Sequence, residues 1–346
     1  MAFKKKDKKK IEIKNIMKVI IIAEAGVNHN GNLKIAKKLV NVAKLAGADY
    51  VKFQSFSHDK QVTKTAPKAN YQKFNLNNKE TQRSMLKKLE LSVSNHLKII
   101  KHCKNKKIKF LSTAFDIDNL KFLLKNKIDF IKIPSGEITN LPLLTYIKNK
   151  KKKILLSTGA STFKEVDKAL KVLCKNKKDI TILQCNSAYP TPINDLNLNI
   201  LNTYKKHFNC SVGLSDHSLS IITPSAAVAM GATIIEKHFT LSRKMIGPDH
   251  KSSLEPKELA QMIKNIREIE IALGSSKKTI TNSEAENRNI IRKSLVARKH
   301  IYKGQKFTIK NVVSKRPGSG ISPMNIKQVM GKRAKKNLDP DEIIKI

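Results

Sequence analysis

The stretch VIIIAEAGVNHNGNLKIAKKLVNVAKLAGADYVKFQ, running from Val19 to Gln54, contains one whole strand–helix–strand unit. Val19–Ala23 is a β-branched run, and the asparagines and glycines that follow make a turn. Leu33–Leu45 then repeats its apolar residues three and four apart, the period of a helix with one buried face. Tyr50–Gln54 returns to strand character.

The same alternation recurs down the chain. Strands are predicted at Val19–Ala23, Tyr50–Gln54, Ile108–Ser112, Phe130–Ile133, Ile154–Ser157, Ile180–Gln184, Ser211–Leu214 and Thr233–Lys237, with amphipathic segments such as Phe163–Leu173 between them. Eight such units in about 250 residues predict an α/β fold, a (β/α)8 TIM barrel over residues 18–274. A doubly wound sheet is the alternative, but no Gly-x-Gly-x-x-Gly turn follows the first strand. After Gly274 the character changes. Residues 275–292 are polar and charged, as in a linker, and 293–346 read as short strands broken by turns, a small mostly β domain. Residues 1–17 read as a basic, solvated tail.

The formal charge of +42 at pH 7 raises the question of a nucleic-acid partner. The excess is almost all lysine, with only eight arginines, and is spread along helix faces with local runs at Lys4–Lys10 and Lys148–Lys153. Tryptophan is absent and aromatics make up 5%, so platforms for base stacking are scarce. The charge therefore reads as solvated surface serving solubility and steering, without a specific nucleic-acid partner. No apolar stretch reaches membrane-spanning length, and the N-terminus lacks the apolar segment of a secretory signal, so no membrane partner is expected. Cys103, Cys174, Cys185 and Cys210 show no paired spacing and suit buried thiols in a reducing cytoplasm.

In a parallel barrel the chemistry sits at the carboxyl ends of the strands. That rim collects Glu24, Lys52, Gln54, Lys132, Ser135 and Glu137. Lys52 and Gln54 share one face of their strand by the period of two. An ammonium is costly to bury without an anionic partner, so inward Lys52 and Lys132 together predict a clamp for carboxylate and phosphate. Either alone would serve as a structural ion pair. Ser112-Thr113, Ser157-Thr158-Gly159 and Asn186-Ser187 add groups that bond phosphate oxygens, and that also cap helices. Glu24 can orient a polar substrate or move a proton, or its loop can simply make a turn. His217 and His238 each end an apolar run, with Asp216, Glu236 and Asp249 near in sequence. Paired imidazoles at neighbouring strand ends suit Mn²⁺, Fe²⁺ or Zn²⁺, against the plainer reading of two satisfied polar histidines. His-Glu-x-x-His, a Walker A loop and zinc-ribbon spacing are all absent, which excludes those classes.

These residues lie in segments that resemble the sialic acid synthases. The likeness is carried by Ile22-Ala-Glu-Ala-Gly-Val-Asn-His-Asn-Gly31, Val51-Lys-Phe-Gln54, Phe110-Leu-Ser-Thr113, Ile131-Lys-Ile-Pro-Ser-Gly-Glu137 and Leu156-Ser-Thr-Gly159. It continues in Gln184-Cys-Asn-Ser-Ala-Tyr-Pro-Thr-Pro192, Gly213-Leu-Ser-Asp-His217, Glu236-Lys-His-Phe-Thr240 and Gly247-Pro-Asp-His250. Lys315-Arg-Pro-Gly-Ser-Gly-Ile-Ser-Pro323 resembles the antifreeze-like SAF domain, a β-clip, of the same family. The resemblance implies a transferase condensing phosphoenolpyruvate with N-acetylmannosamine to give N-acetylneuraminate and phosphate. Legionaminic acid synthesis from 2,4-diacetamido-2,4,6-trideoxymannose is the alternative.

The resemblance also implies a divalent metal, Mn²⁺ with Mg²⁺ or Co²⁺ as substitutes, held by His217 and His238. It gives catalytic roles to Glu24, Lys52, Lys132 and Glu137. Lys52 and Lys132 would hold phosphoenolpyruvate with Thr113, Ser135, Ser157, Ser187 and Ser215. Gln54, Glu137, Tyr189 and Asp249 would engage the sugar. Arg316 would reach the barrel of a partner subunit in a domain-swapped homodimer. Lys52-Phe-Gln-Ser-Phe56 departs from members carrying Lys-His-Gln-Thr-His, which leaves the C4 and C6 substituents of the sugar open. Two further readings compete. One is a polyanion-binding protein on an inactive barrel, which gives no reason for inward lysines. The other is a barrel enzyme that adds phosphoenolpyruvate to a different sugar aldehyde.

Overall fold

A computed structural model describes residues 18–76, 80–173 and 177–346; the basic tail at 1–17 and Cys174 lie outside the described residues. The chain divides into two compact units, one ending at Gly274 and one spanning Ser275–Ile346. In the first, β1 (Ile20–Gly26), β2 (Tyr50–Ser55), β3 (Lys109–Ala114), β4 (Phe130–Ile133), β5 (Lys153–Ser157), β6 (Ile180–Cys185), β7 (Ser211–Asp216) and β8 (Ile234–His238) pair in parallel in chain order. β1 also pairs with β8, so the sheet closes. The predicted barrel is borne out.

Most strands run one to three residues past their predicted ends, and the added residues include Glu24, Thr113, Cys185, Ser215 and His238. An apolar-run reading stops at the first polar side chain. The backbone ladder is indifferent to that polarity and carries on. The helices match their periodicity closely. Leu33–Ala46 starts where the Asn32 side chain accepts from the amides of Lys34 and Ile35, and stops at Gly47, whose φ of 91° favours glycine. Its Ala36, Leu39, Val40 and Ala43 face the core between helices and barrel.

The period of two then builds the barrel interior. Ile22, Tyr50, Leu111, Phe130, Leu155, Leu183 and Ile234 form an apolar layer. β7 contributes Gly213 at that level because a Cβ there would lie 2.5 Å from the Ile234 carbonyl oxygen and 2.6 Å from Leu183. Two residues further along each strand stand Glu24, Lys52, Thr113, Lys132, Ser157, Cys185, Ser215 and Glu236, all buried. A step of two more reaches Gln54, Phe115, Pro134, Ser187, His217 and His238 at the mouth. An apolar floor therefore carries a polar layer, and the polar layer carries a rim.

The connection after β2 holds three helices, His58–Gln61, Asn70–Leu76 and Gln82–Leu89, before Val93–Asn105 resumes the barrel pattern. Phe56, Met85, Leu86 and Leu89 anchor it on Val27 as a small separate core.

The second unit carries an antiparallel pair, β9 (Ser294–Ala297) and β10 (Val312–Lys315), around its own core of Leu295, Ile301, Phe307, Val312, Leu338 and Ile344. Asn282–Ile291, in the polar stretch after Gly274, forms a helix opened by a reciprocal Thr281–Glu284 capping box. Among the described residues, no helix is long and apolar enough to cross a membrane.

Candidate active site

The barrel mouth encloses a cavity of about 190 Å³ lined by Glu24, Lys52, Gln54, Thr113, Lys132, Ser135, Ser157, Cys185, Ser187, Tyr189, Ser215, His217, Glu236 and His238. Twelve of these fourteen are candidate site residues from the sequence; Cys185 and Glu236 are additions, and Phe115, Pro134 and Gly136 complete the lining. A wider groove of about 900 Å³ adjoins it, sharing Cys185 and Ser187. Its lining, including Thr158, Ser161, Asn197 and Thr203, holds neither lysine nor histidine, so the reactive groups belong to the smaller cavity.

Register sets the charges. Lys52 Nζ lies 2.8 Å from Glu24 Oε2 and 3.5 Å from Glu236 Oε2, while Lys132 Nζ lies 3.7 Å from Glu236 Oε1. Lys52 also donates to Thr113 Oγ1 at 2.9 Å, Lys132 to Ser157 Oγ at 2.7 Å, and Ser215 Oγ to Glu236 at 2.8 Å. Glu236 is thus the carboxylate shared by both ammonium groups. Burial works against its charge, but Lys132, Lys52 and the Ser215 hydroxyl bring its carboxyl down to about 2. Glu24 goes the other way: burial, aided by Glu236, holds it at about 7 against the pull of Lys52. Two neighbouring carboxyls pushed apart in this manner divide into a fixed counter-ion and a proton carrier. Burial, reinforced by repulsion from Lys52, lowers the Lys132 ammonium despite Glu236.

Glu24 has a consequence for stability. Its folded pKa of about 7 stands above the ordinary 4.5, so its contribution is complete below pH 4.5 and is lost as pH rises through 7. Glu24→Gln is expected to flatten that fall in denaturant midpoints measured from pH 4.5 to 7.5. An unchanged profile would remove Glu24 as the titrating group.

Tight packing supports the polar layer. Ser135 Oγ accepts the Gly159 amide at 2.9 Å, and a Cβ on Gly159 would come within 2.3 Å of Ser187 Oγ. Glycine there lets the β5 loop pass beneath two hydroxyls.

His217 and His238 meet, with ring centroids 5.3 Å apart. The His217 Nδ1 nitrogen lies 2.6 Å from the Asn186 carbonyl oxygen, which fixes it as the donor and leaves Nε2 toward the cavity, 3.2 Å from the Tyr189 hydroxyl. His238 Nδ1 is buried with no hydrogen-bond partner. Burial, together with His217 and Lys52, keeps the His238 imidazole neutral, well below its ordinary pKa. Two imidazoles facing one cavity, His238 neutral and with an unpartnered nitrogen, fit a divalent transition-type ion. Among the described residues, no group of three or more His, Cys, Asp or Glu is placed to hold one alone, so substrate or water oxygens would complete the shell.

Other expected residues stand elsewhere. Glu137, on the 3₁₀ turn Ser135–Glu137, accepts from Asn140 at 2.5 Å and does not line the cavity. Asp249 is buried beside the mouth, outside the lining, with burial raising its carboxyl to about 6. Arg316 is exposed in the second unit. Asp216 faces outward from β7 and pairs with buried Lys237 at 2.8 Å, so it belongs to the packing behind the barrel. Phe53 and Phe56, the departures from the family pattern, pack into hydrophobic cores and do not line the cavity. The signal for Glu236 was present: Ile234, Glu236 and His238 alternate on one face of β8, with Lys237 on the other.

With this geometry in hand, comparison with known proteins is informative. Residues 39–278 match the NeuB family and 292–346 the SAF domain. The N,N'-diacetyllegionaminic acid synthase of Campylobacter jejuni is 49% identical over 95% of this chain and 99% of its own length. That of Legionella pneumophila is 42% identical over 93% and 92%. The crystal structure of an N-acetylneuraminic acid synthetase from Leptospira borgpetersenii, in complex with citrate, superposes with a TM-score of 0.69 at 33% identity, covering 78% of this chain and 90% of that one. Barrel, charged mouth, SAF unit and relatives agree: the chain belongs to the NeuB family and is a nonulosonic acid synthase, a phosphoenolpyruvate-condensing transferase.

Proposed function

We propose that this enzyme joins phosphoenolpyruvate to 2,4-diacetamido-2,4,6-trideoxymannose, giving N,N'-diacetyllegionaminic acid and phosphate in the cytoplasm. The observation that carries the reaction class is the pair of buried ammonium groups, Lys52 and Lys132, opening on one cavity with two imidazoles. The sugar is inferred from the 49% and 42% identities to two legionaminic acid synthases, which favour it over the N-acetylmannosamine first suggested by resemblance. N-acetylmannosamine is the second reading, supported by the likeness to the Leptospira synthetase.

Lys52 and Lys132 hold the carboxylate and phosphate of the enol ester, with Thr113 and Ser157 fixing where each ammonium points. The enol's double-bond electrons form the new bond from its carbon 3 to carbon 1 of the open-chain sugar, whose oxygen takes the proton carried by Glu24. Water adds at carbon 2 and gives its proton to Glu24, within reach of Lys52 in the same layer. The carbon 2–oxygen bond to phosphate then breaks as the keto group forms, and the remaining proton of the added hydroxyl leaves with the phosphate, so Glu24 ends protonated as it began. His217 and His238 would hold a divalent ion, Mn²⁺ by the family resemblance, which when bound polarises the sugar aldehyde. The homodimer, with Arg316 meeting the acetamido group in a partner subunit's barrel, completes the proposal.

The test is phosphate release from phosphoenolpyruvate with Mn²⁺ and each sugar side by side. The diacetamido sugar is expected to give kcat/KM at least about tenfold above N-acetylmannosamine, the scale of a few well-placed contacts. The opposite order would restore N-acetylneuraminate as product. No phosphate with either sugar would end the assignment.

A further inference from the structure

Helix Asn70–Leu76, in the long connection after β2, has no fully buried residue, and Leu76 alone leans, half-buried, on the small core around Val27 and Phe56. An element with so little apolar burial is not there to stabilise the fold. What it does instead is reach two loops at the barrel mouth. Asn75 Nδ2 donates to the Pro248 carbonyl at 2.6 Å, and Lys251 Nζ sits 4.8 Å over the Phe74 ring. Both partners lie in the loop after β8. On the opposite side, the Tyr71 ring stacks on Tyr189 of the loop after β6, centroids 5.0 Å apart and planes 26° from parallel.

Tyr189 passes that contact inward. Its ring stacks on His217 at 4.1 Å and 25°, and meets His238 edge-on at 5.7 Å and 85°. One phenol ring therefore contacts both imidazoles, and Tyr71 stacks on it from the connection after β2. The Tyr71 hydroxyl accepts only from its chain neighbour Gln72 in the contacts seen here, at 3.2 Å, so it is the ring that matters.

We propose that Tyr71 is a positioning residue for the imidazole and sugar end of the site, acting through Tyr189. This rests on the functional reading above and adds a residue that the reading does not use. Phosphoenolpyruvate, held at the lysine end by Lys52 and Lys132, is indifferent to it.

The experiment compares Tyr71→Ala and Tyr71→Phe with the parent by steady-state kinetics and by direct Mn²⁺ titration in a calorimeter. Tyr71→Ala should raise KM for the sugar about tenfold and weaken Mn²⁺ several-fold, the scale of one lost aromatic pair, with KM for phosphoenolpyruvate within about twofold. Its thermal midpoint should fall by no more than a few degrees, the scale of one lost aromatic pair. Tyr71→Phe should restore both the sugar KM and the Mn²⁺ affinity. Parent-like values in Tyr71→Ala, or both KM values rising together without rescue by phenylalanine, would overturn the inference. A parent that bound Mn²⁺ and turned over while Tyr71→Ala was unaffected would sink this inference alone. A parent that did neither would sink the functional reading with it.

Discussion

Glu236→Ala is expected to lower the unfolding free energy by about 3–5 kcal/mol, the usual result of stripping a buried charge of its partner. Lys52 and Lys132 would be left with one carboxyl, Glu24, which lies against Lys52 and is the more readily protonated of the two. Lys132 would then keep Ser157 but lose its ion-pair partner at 3.7 Å. Urea denaturation at pH 7 measures the loss. Adding Lys132→Met should recover part of it, since removing both partners costs less than removing one. Phosphoenolpyruvate should also stabilise Glu236→Ala more than it does the parent, because it brings the missing negative charge to the same place. A single variant within about 0.5 kcal/mol of the parent, the spread of ordinary surface substitutions, would mean that Glu236 does not hold the two lysines.

His238→Ala and His217→Ala should each reduce Mn²⁺-dependent turnover by about 10³-fold or more, since polarising a carbonyl with a bound cation is worth several kcal/mol of barrel-mouth chemistry. Mn²⁺ binding should be lost in the same variants. Stability should fall only by the packing lost with the ring in His238→Ala, because the imidazole Nδ1 gives up no hydrogen bond on leaving. That separation distinguishes a ligand from a packing residue: a structural histidine would lower the thermal midpoint before it touched turnover. Full activity in both variants would refute the ligand pair.

The two predictions differ in which term they remove. Glu236 is a fixed anion whose value lies in keeping two ammonium groups folded inward. The histidines act toward what they hold, although His217 is also tied into the fold through Asn186 and Tyr189. Glu24 stands between them, close enough to Lys52 to be steered and neutral enough to carry a proton near pH 7.

Much of this was legible in the sequence, for a local reason. Strand side chains alternate faces, so once Lys52 and Lys132 were read as inward, the apolar residues two before them had to form the floor, and Gln54 two after Lys52 had to reach the mouth. The same count applied to β8 reaches Glu236 and His238, and applied to β7 it reaches Ser215 and His217. The strand–helix rhythm, the barrel and the position of most site residues needed no information beyond that period. Only the tertiary structure decided which charges meet. Glu236 pairs with lysines on β2 and β4, and that choice depends on the register of a closed sheet rather than on any stretch of chain. Asp216 and Lys237 find each other behind the barrel for the same reason. Tyr71 was invisible to pattern because its short helix has no fully buried residue and so left no periodic trace, and its role comes from the loop that stacks on it.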